Sequence, residues 1–157
     1  MNKEILILVF SWVIAVLCLL KYVPKDKRRV AHITFLFGQA FSWLFEYFQV
    51  RLELLEFPFR EFNYATKMSF SLHYVIFPTY AVFFILLYPI QKAPKWIIIY
   101  YLIYGMALPT YAFFLERYSS LIDYKKWNWF LAVIVNLIAM FIVKKFVFWF
   151  KKGITQS

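Results

Sequence analysis

Glycine and cysteine are scarce, with three and one in 157 residues. So few glycines exclude a low-complexity chain, and they leave no glycine-rich loop to close backbone N–H groups on a phosphate. The lone Cys18 excludes an internal disulfide framework and any Cys-x-x-Cys motif. Inside an apolar segment it reads as a small, soft filler. HExxH and GxSxG are missing as well. The two histidines, His32 and His73, stand far apart, so no spacing argues for a metal, and no cofactor is expected. No internal repeat is visible, which removes the inverted-repeat design of many transporters.

Apolar and aromatic side chains are in excess. They make up 64% and 24% of the chain, against roughly 45–50% apolar content in soluble domains. A small soluble domain keeps too much surface in water to hide that many Phe, Tyr, Ile and Leu residues. A bilayer accepts them on the outside. A spanning helix needs about 20 mainly apolar residues at ~1.5 Å each. Segments 5–23, 30–50, 69–90, 96–115 and 127–147 meet that need, although 30–50 carries His32, Gln39, Ser42, Glu46 and Gln49. Continuous apolar runs without two-residue alternation favour helices over a barrel. The expected fold is all-α: a single polytopic transmembrane domain, a bundle of five spans. The first segment is read as a span, because Lys3 beside Glu4 leaves little net charge and no small-x-small cleavage site follows.

Charge orients the bundle. Lys21, Lys25, Lys27, Arg28, Arg29, Lys92, Lys95, Lys144, Lys145, Lys151 and Lys152 fall at one end of five alternating spans. The other end holds Lys3, Arg51, Arg60, Lys67, Arg117, Lys125 and Lys126, together with every acid except Asp26. The positive-inside rule puts the first group in the cytoplasm, the N-terminus outside and the C-terminus inside. The net charge of +10 then belongs to topology and to anionic lipid head groups, and no nucleic-acid partner is implied.

The most informative pattern lies on the second segment. His32, Gln39, Ser42, Glu46, Gln49, Glu53 and Glu56 follow one another mostly at steps of three and four, which share a helical face. In lipid such a stripe should turn inward. The helix carrying it is expected to run to about Phe57 and stop before Pro58. Glu46 should sit in the outer third of the hydrocarbon, with His73, Glu116 and Arg117 at a similar depth. These residues, with Gln49 and Glu53, are expected to form an outward-facing polar pocket. Glu46 and His73 are the catalytic candidates. Alternatively, Glu46 serves architecture, pairing with Arg117 or bonding to Tyr and Gln. Asn136 is expected to hydrogen-bond between helices. The aromatic connections at the outer boundary offer Phe57, Phe59, Arg60, Trp127 and Trp129 as interface residues. The 118–129 segment reads as amphipathic and surface-lying.

Two outer segments carry a resemblance. Glu56-Phe57-Pro58-Phe59-Arg60-Glu61-Phe62, running through Ala65-Thr66-Lys67 to Tyr74-Val75-Ile76-Phe77-Pro78, is one; Glu116-Arg117-Tyr118 through Leu121-Ile122-Asp123-Tyr124 to Trp127-Asn128-Trp129 is the other. Together they resemble a family of small uncharacterised multi-pass membrane proteins of spore-forming Gram-positive bacteria. The resemblance implies a bacterial cytoplasmic-membrane location and carries no activity.

Three functions fit these residues. The first is a non-enzymatic binding or accessory protein, with a membrane-protein partner or a second copy of itself on its outer surface. The second is an intramembrane enzyme acting on a lipid or isoprenoid, with Glu46 as acid or base, His73 as relay and Arg117 holding an anionic group. The third is a transporter or channel subunit.

Overall fold

The computed structural model describes residues 3–155. Five helices carry the fold: α1 (Lys3–Tyr22), α2 (Arg28–Arg51), α3 (Leu72–Leu86), α4 (Pro94–Tyr118) and α5 (Trp129–Thr155). A 3₁₀ turn, Lys25–Lys27, links α1 to α2, and Pro24 precedes it in an extended conformation. Two short strands, β1 (Leu55–Glu56) after α2 and β2 (Asp123–Tyr124) after α4, pair antiparallel with Leu55 opposite Tyr124 and Glu56 opposite Asp123.

Three helices, α1, α4 and α5, are long and apolar enough to cross a membrane. They hold many large apolar side chains on the outside, among them Leu20, Ile98, Phe130 and Trp149. That distribution is unfavourable in water and neutral in lipid. The long α2 is less apolar because of its polar stripe. α3 is the most deeply packed helix, with Ala81, Val82, Phe84 and Ile85 all buried. Successive helices run in opposite directions: the ends of α2 and α4 meet through β1 and β2, and Lys3 of α1 donates to the Tyr118 carbonyl of α4. At the opposite end Lys144 of α5 donates to the Tyr88 hydroxyl just beyond α3 (2.9 Å) and lies over its ring.

Several boundaries differ from the sequence reading. α2 stops at Arg51, well short of Phe57. Glu53 adopts a left-handed conformation (φ 55°), and Leu54 N–H donates back to the Gln49 carbonyl (2.9 Å), closing the helix in a Schellman-like turn. The chain is then drawn across the bundle: Phe59 N–H donates to Ser120 O (2.8 Å), and Lys125 and Lys126 N–H both donate to Leu54 O (3.0 Å). α3 ends at Leu86, short of residue 90, while α5 continues past residue 147 to Thr155. The 118–129 segment is no surface-lying amphipath over its whole length, because Leu121 and Ile122 are buried in it. They join Leu8, Leu55, Phe57, Leu72 and Leu115 in an apolar cluster at the strand end of the bundle. A second cluster, built from Ala81, Phe84, Ile85, Met140, Val143 and Val147, holds α3 against α5.

Two prolines and two carboxamides lock the helices together. Proline has no N–H, so Pro78 cannot bond the Tyr74 carbonyl. The first turn of α3, Leu72–Ile76, is π-helical, and Phe77 N–H reaches Leu72 O, which leaves the His73 carbonyl without its usual donor as well. The α2 stripe supplies both: Gln39 Nε2 donates to Tyr74 O (2.7 Å) and Ser42 Oγ to His73 O (3.0 Å). Pro109 repeats the arrangement in α4. It frees the Gly105 carbonyl, and Asn136 Nδ2 of α5 donates to Gly105 O and Tyr104 O (both 3.1 Å). Close approach makes this possible. A Cβ on Gly38 would lie 3.2 Å from Pro78 Cα, and one on Gly105 would lie 2.4 Å from Leu137 Cδ2.

Candidate functional site

Glu46 lies on the inward face of α2, one turn beyond Ser42, and is 4% exposed. His73 occupies the π-helical turn of α3, which swings its ring toward α2, and it is 1% exposed. The two side chains meet: His73 Nε2 faces Glu46 Oε2. The other ring nitrogen, Nδ1, faces the Ser69 carbonyl and must therefore carry a hydrogen. Phe57 and Phe77 stand edge-on to the imidazole at 5.6 and 5.2 Å, closing two of its sides. With Nδ1 protonated, a hydrogen bond between Nε2 and Oε2 needs one shared proton. Either a protonated Glu46 donates to a neutral ring, or an imidazolium donates to the carboxylate. Both forms leave the pair with zero net charge.

Beside Glu46 runs a cavity of about 130 Å³. Its walls come from α2, α3, α4 and α5, and Leu55, Ile122, Tyr124 and Trp127 cover its strand end. The α2 wall extends from Gly38 to Gln49, about 17 Å at 1.5 Å per residue. The cavity is therefore long and narrow. Most of its lining is apolar; Glu46, Gln49, Ser42, Tyr124 and Asn136 are the polar contributors. Gln49 is 6% exposed, and among the described residues its carboxamide has no hydrogen-bond partner. Burial first, then the Glu116 and Glu46 carboxyls, push the Tyr124 hydroxyl up to about 12.

The structure brings Glu46, Gln49 and His73 into one buried group and leaves the other proposed pocket residues outside it. Glu53 is mostly exposed, past the end of α2, with its carboxylate 3.9 Å from Lys126. Arg117 is exposed and Glu116 half-buried at the end of α4. Geometry explains the separation, since α2 ends before Glu53 and the stripe leaves its face there. At the other end of the stripe His32 is exposed, bonded to the Arg28 carbonyl (3.2 Å), and the inward positions are Ala31, Thr34 and Gly38. The pocket is mostly apolar with a polar end, and the two loops cover that end.

The aromatic interface residues are largely spent on the bundle itself. Phe57 is completely buried, and Phe59 and Arg60 are partly covered. Trp127 lines the cavity, and Trp129 Nε1 donates to Thr110 Oγ1 (3.2 Å). Phe57 therefore presents no surface to a partner.

The sequence reading missed Glu61. Its carboxylate accepts from the backbone N–H of Phe70 (3.0 Å) and Ser71 (2.9 Å), capping the start of α3 from the preceding loop. Partial burial works against its charge, but the Ser71 hydroxyl and these N–H groups outweigh it and hold the carboxyl below its usual range. No local pattern announces such a cap, because ordinary N-caps act over two or three residues and this one acts over about ten.

No family model, curated protein or solved structure matches the chain. Among the described residues, no three His, Cys, Asp or Glu side chains gather as a metal site.

Proposed function

We propose that the chain is a five-span integral membrane protein with its N-terminus outside and its C-terminus inside, acting as a non-enzymatic binding or accessory protein. One observation carries the functional part: an apolar cavity within the bundle ends on buried Gln49, whose carboxamide has no hydrogen-bond partner among the described residues, beside Glu46. Empty apolar cavities of ~150 Å³ take up small apolar molecules readily, and ligand sites generally join apolar walls to a few convergent polar groups. Alternating helix directions and the concentration of Lys and Arg at one end support the topology. The resemblance of the two outer segments supports a bacterial cytoplasmic membrane. Native mass spectrometry of the protein released from lipid nanodiscs tests the binding reading. A small species retained by the chain and lost on Ala139→Phe, which fills the cavity, is the expected result. A clean chain mass in both would sink it.

A second reading rests on the Glu46–His73 pair. A carboxyl and an imidazole sharing one proton beside an apolar cavity are the parts of an acid–base device acting on a lipid or isoprenoid. Arg117 is too exposed to hold an anionic group there, so this reading keeps its acid and relay and loses its clamp. Glu46→Gln in cells should then alter the lipid profile. An unchanged profile leaves the pair as architecture.

A further inference from the structure

The head group that the cavity accepts follows from the charges around it. Among the described residues no Lys or Arg lines the cavity, so a phosphate or carboxylate entering it would be desolvated without a counter-charge, which is strongly unfavourable. The ionisable pair at its polar end, Glu46 with His73, has zero net charge in either arrangement of the shared proton. A quaternary ammonium would therefore also lack compensation. What remains is hydrogen bonding. The Gln49 carboxamide lines the cavity and offers both a donor and an acceptor, neither of them bonded among the described residues. The walls below, apart from Ser42 and Asn136, are apolar down to Gly38 and Val143.

We infer that this cavity takes a single-chain amphiphile with an uncharged, hydroxyl-type head, the head at Gln49 and the alkyl or prenyl chain running down between α2 and α5. The inference rests on the binding reading and names its ligand class. Entry is lateral. Phe41 and Phe45 on α2 and Ala132, Val135 and Ala139 on α5 line the cavity and keep part of their surface exposed. Nearer the basic end the two helices are closed by the stacked rings of Phe37 and Phe146, 3.9 Å apart. A chain in the bilayer would thus reach the cavity without crossing the strand cap.

Three photoreactive diazirine probes of equal chain length test this in phosphatidylcholine nanodiscs: an alcohol, a carboxylate and a quaternary ammonium. Labelled peptides are mapped with and without excess unlabelled alcohol. The expected result is competable labelling of residues 41–49 and 132–139 by the alcohol, several-fold above the other two probes. Gln49→Leu and Gln49→Met should each lower alcohol labelling about fivefold, equivalent to one ordinary hydrogen bond. Equal labelling by a charged probe, or no change in either folded variant, would overturn the hydroxyl assignment while leaving the binding reading intact. No competable labelling by any of the three would remove the binding reading itself. The head-group comparison uses the unsubstituted chain, so it decides the matter even if a variant fails to fold.

Discussion

Two glutamates near the strand end of the bundle, Glu61 and Glu53, have opposite local effects. Glu61 caps α3, and its folded carboxyl titrates below the unfolded one because the α3 N–H groups and Ser71 stabilise the anion. The sign follows: protonation favours the unfolded chain, so the contribution is complete above the ordinary carboxylate pKa of about 4.3 and fades as pH falls through the lower folded value. Glu61→Gln should cost about 1 kcal/mol at neutral pH, the usual worth of a helix cap. Thermal melts in detergent at pH 7 and pH 3 should show the gap between variant and parent narrowing in acid. Glu53 is the reverse case. A side chain with φ 55° sits where glycine is at ease, and its ion pair with Lys126 is long and exposed. Glu53→Gly should therefore raise stability by about 0.5–1 kcal/mol. A lower melting temperature would show that the ion pair outweighs the backbone strain.

Among the elements, α3 and α4 each contain one internal proline, Pro78 and Pro109, and a neighbouring helix answers each one. Pro78 and the π-helical turn leave two carbonyls to Gln39 and Ser42, and Pro109 leaves one to Asn136. Removing Gln39 strands the part-buried Tyr74 carbonyl, and removing Asn136 strands the buried Gly105 carbonyl. Gln39→Leu and Asn136→Leu should each cost about 1–3 kcal/mol. Restoring the backbone N–H should recover much of that loss, so Asn136→Leu with Pro109→Ala should be more stable than Asn136→Leu alone. Double-mutant cycles on both pairs measure the coupling, and strict additivity would refute the proposed exchange. Two members of the polar stripe, Gln39 and Ser42, are explained by these bonds, which is why a regular three-and-four spacing need not signal chemistry. His32, Glu53 and Glu56 are exposed, and Glu46 and Gln49 border the cavity.

For the whole molecule, orientation and span number are the testable quantities. Cys18→Ser followed by single cysteines at Lys67 and Lys92 gives two reporters on opposite ends of the bundle. An impermeant maleimide should label the first in intact cells and the second only after permeabilisation. Labelling of both, or the reverse order, would refute the five-span, N-out arrangement. The deep burial of α3 bears on this. Although highly apolar, it is only about 22 Å long at 1.5 Å per residue and is surrounded by other helices. In the proposed five-span arrangement it would cross inside protein, with less need for lipid-facing length.

Much of this was readable in one dimension. Five helical segments, the helix-compatible spacing of the stripe and the inter-helix bond from Asn136 follow from hydropathy, periodicity and residue type, all properties of short stretches of chain. The positions of Phe57, Glu53 and Arg117 did not follow. Where α2 stops is decided by β1 pairing with β2 from a segment almost seventy residues later, and that pairing turns Phe57 inward and releases Glu53 to the surface. Glu61 likewise finds its partners only once the loop folds back on α3. The meeting of Glu46 with His73 depends on a π-helical turn that Ser42 and Gln39 support from another helix. Local physics determined which segments are helical; contacts distant in sequence decided where the helices end and which polar groups meet, because an unpaired buried group is satisfied by whatever the fold brings near.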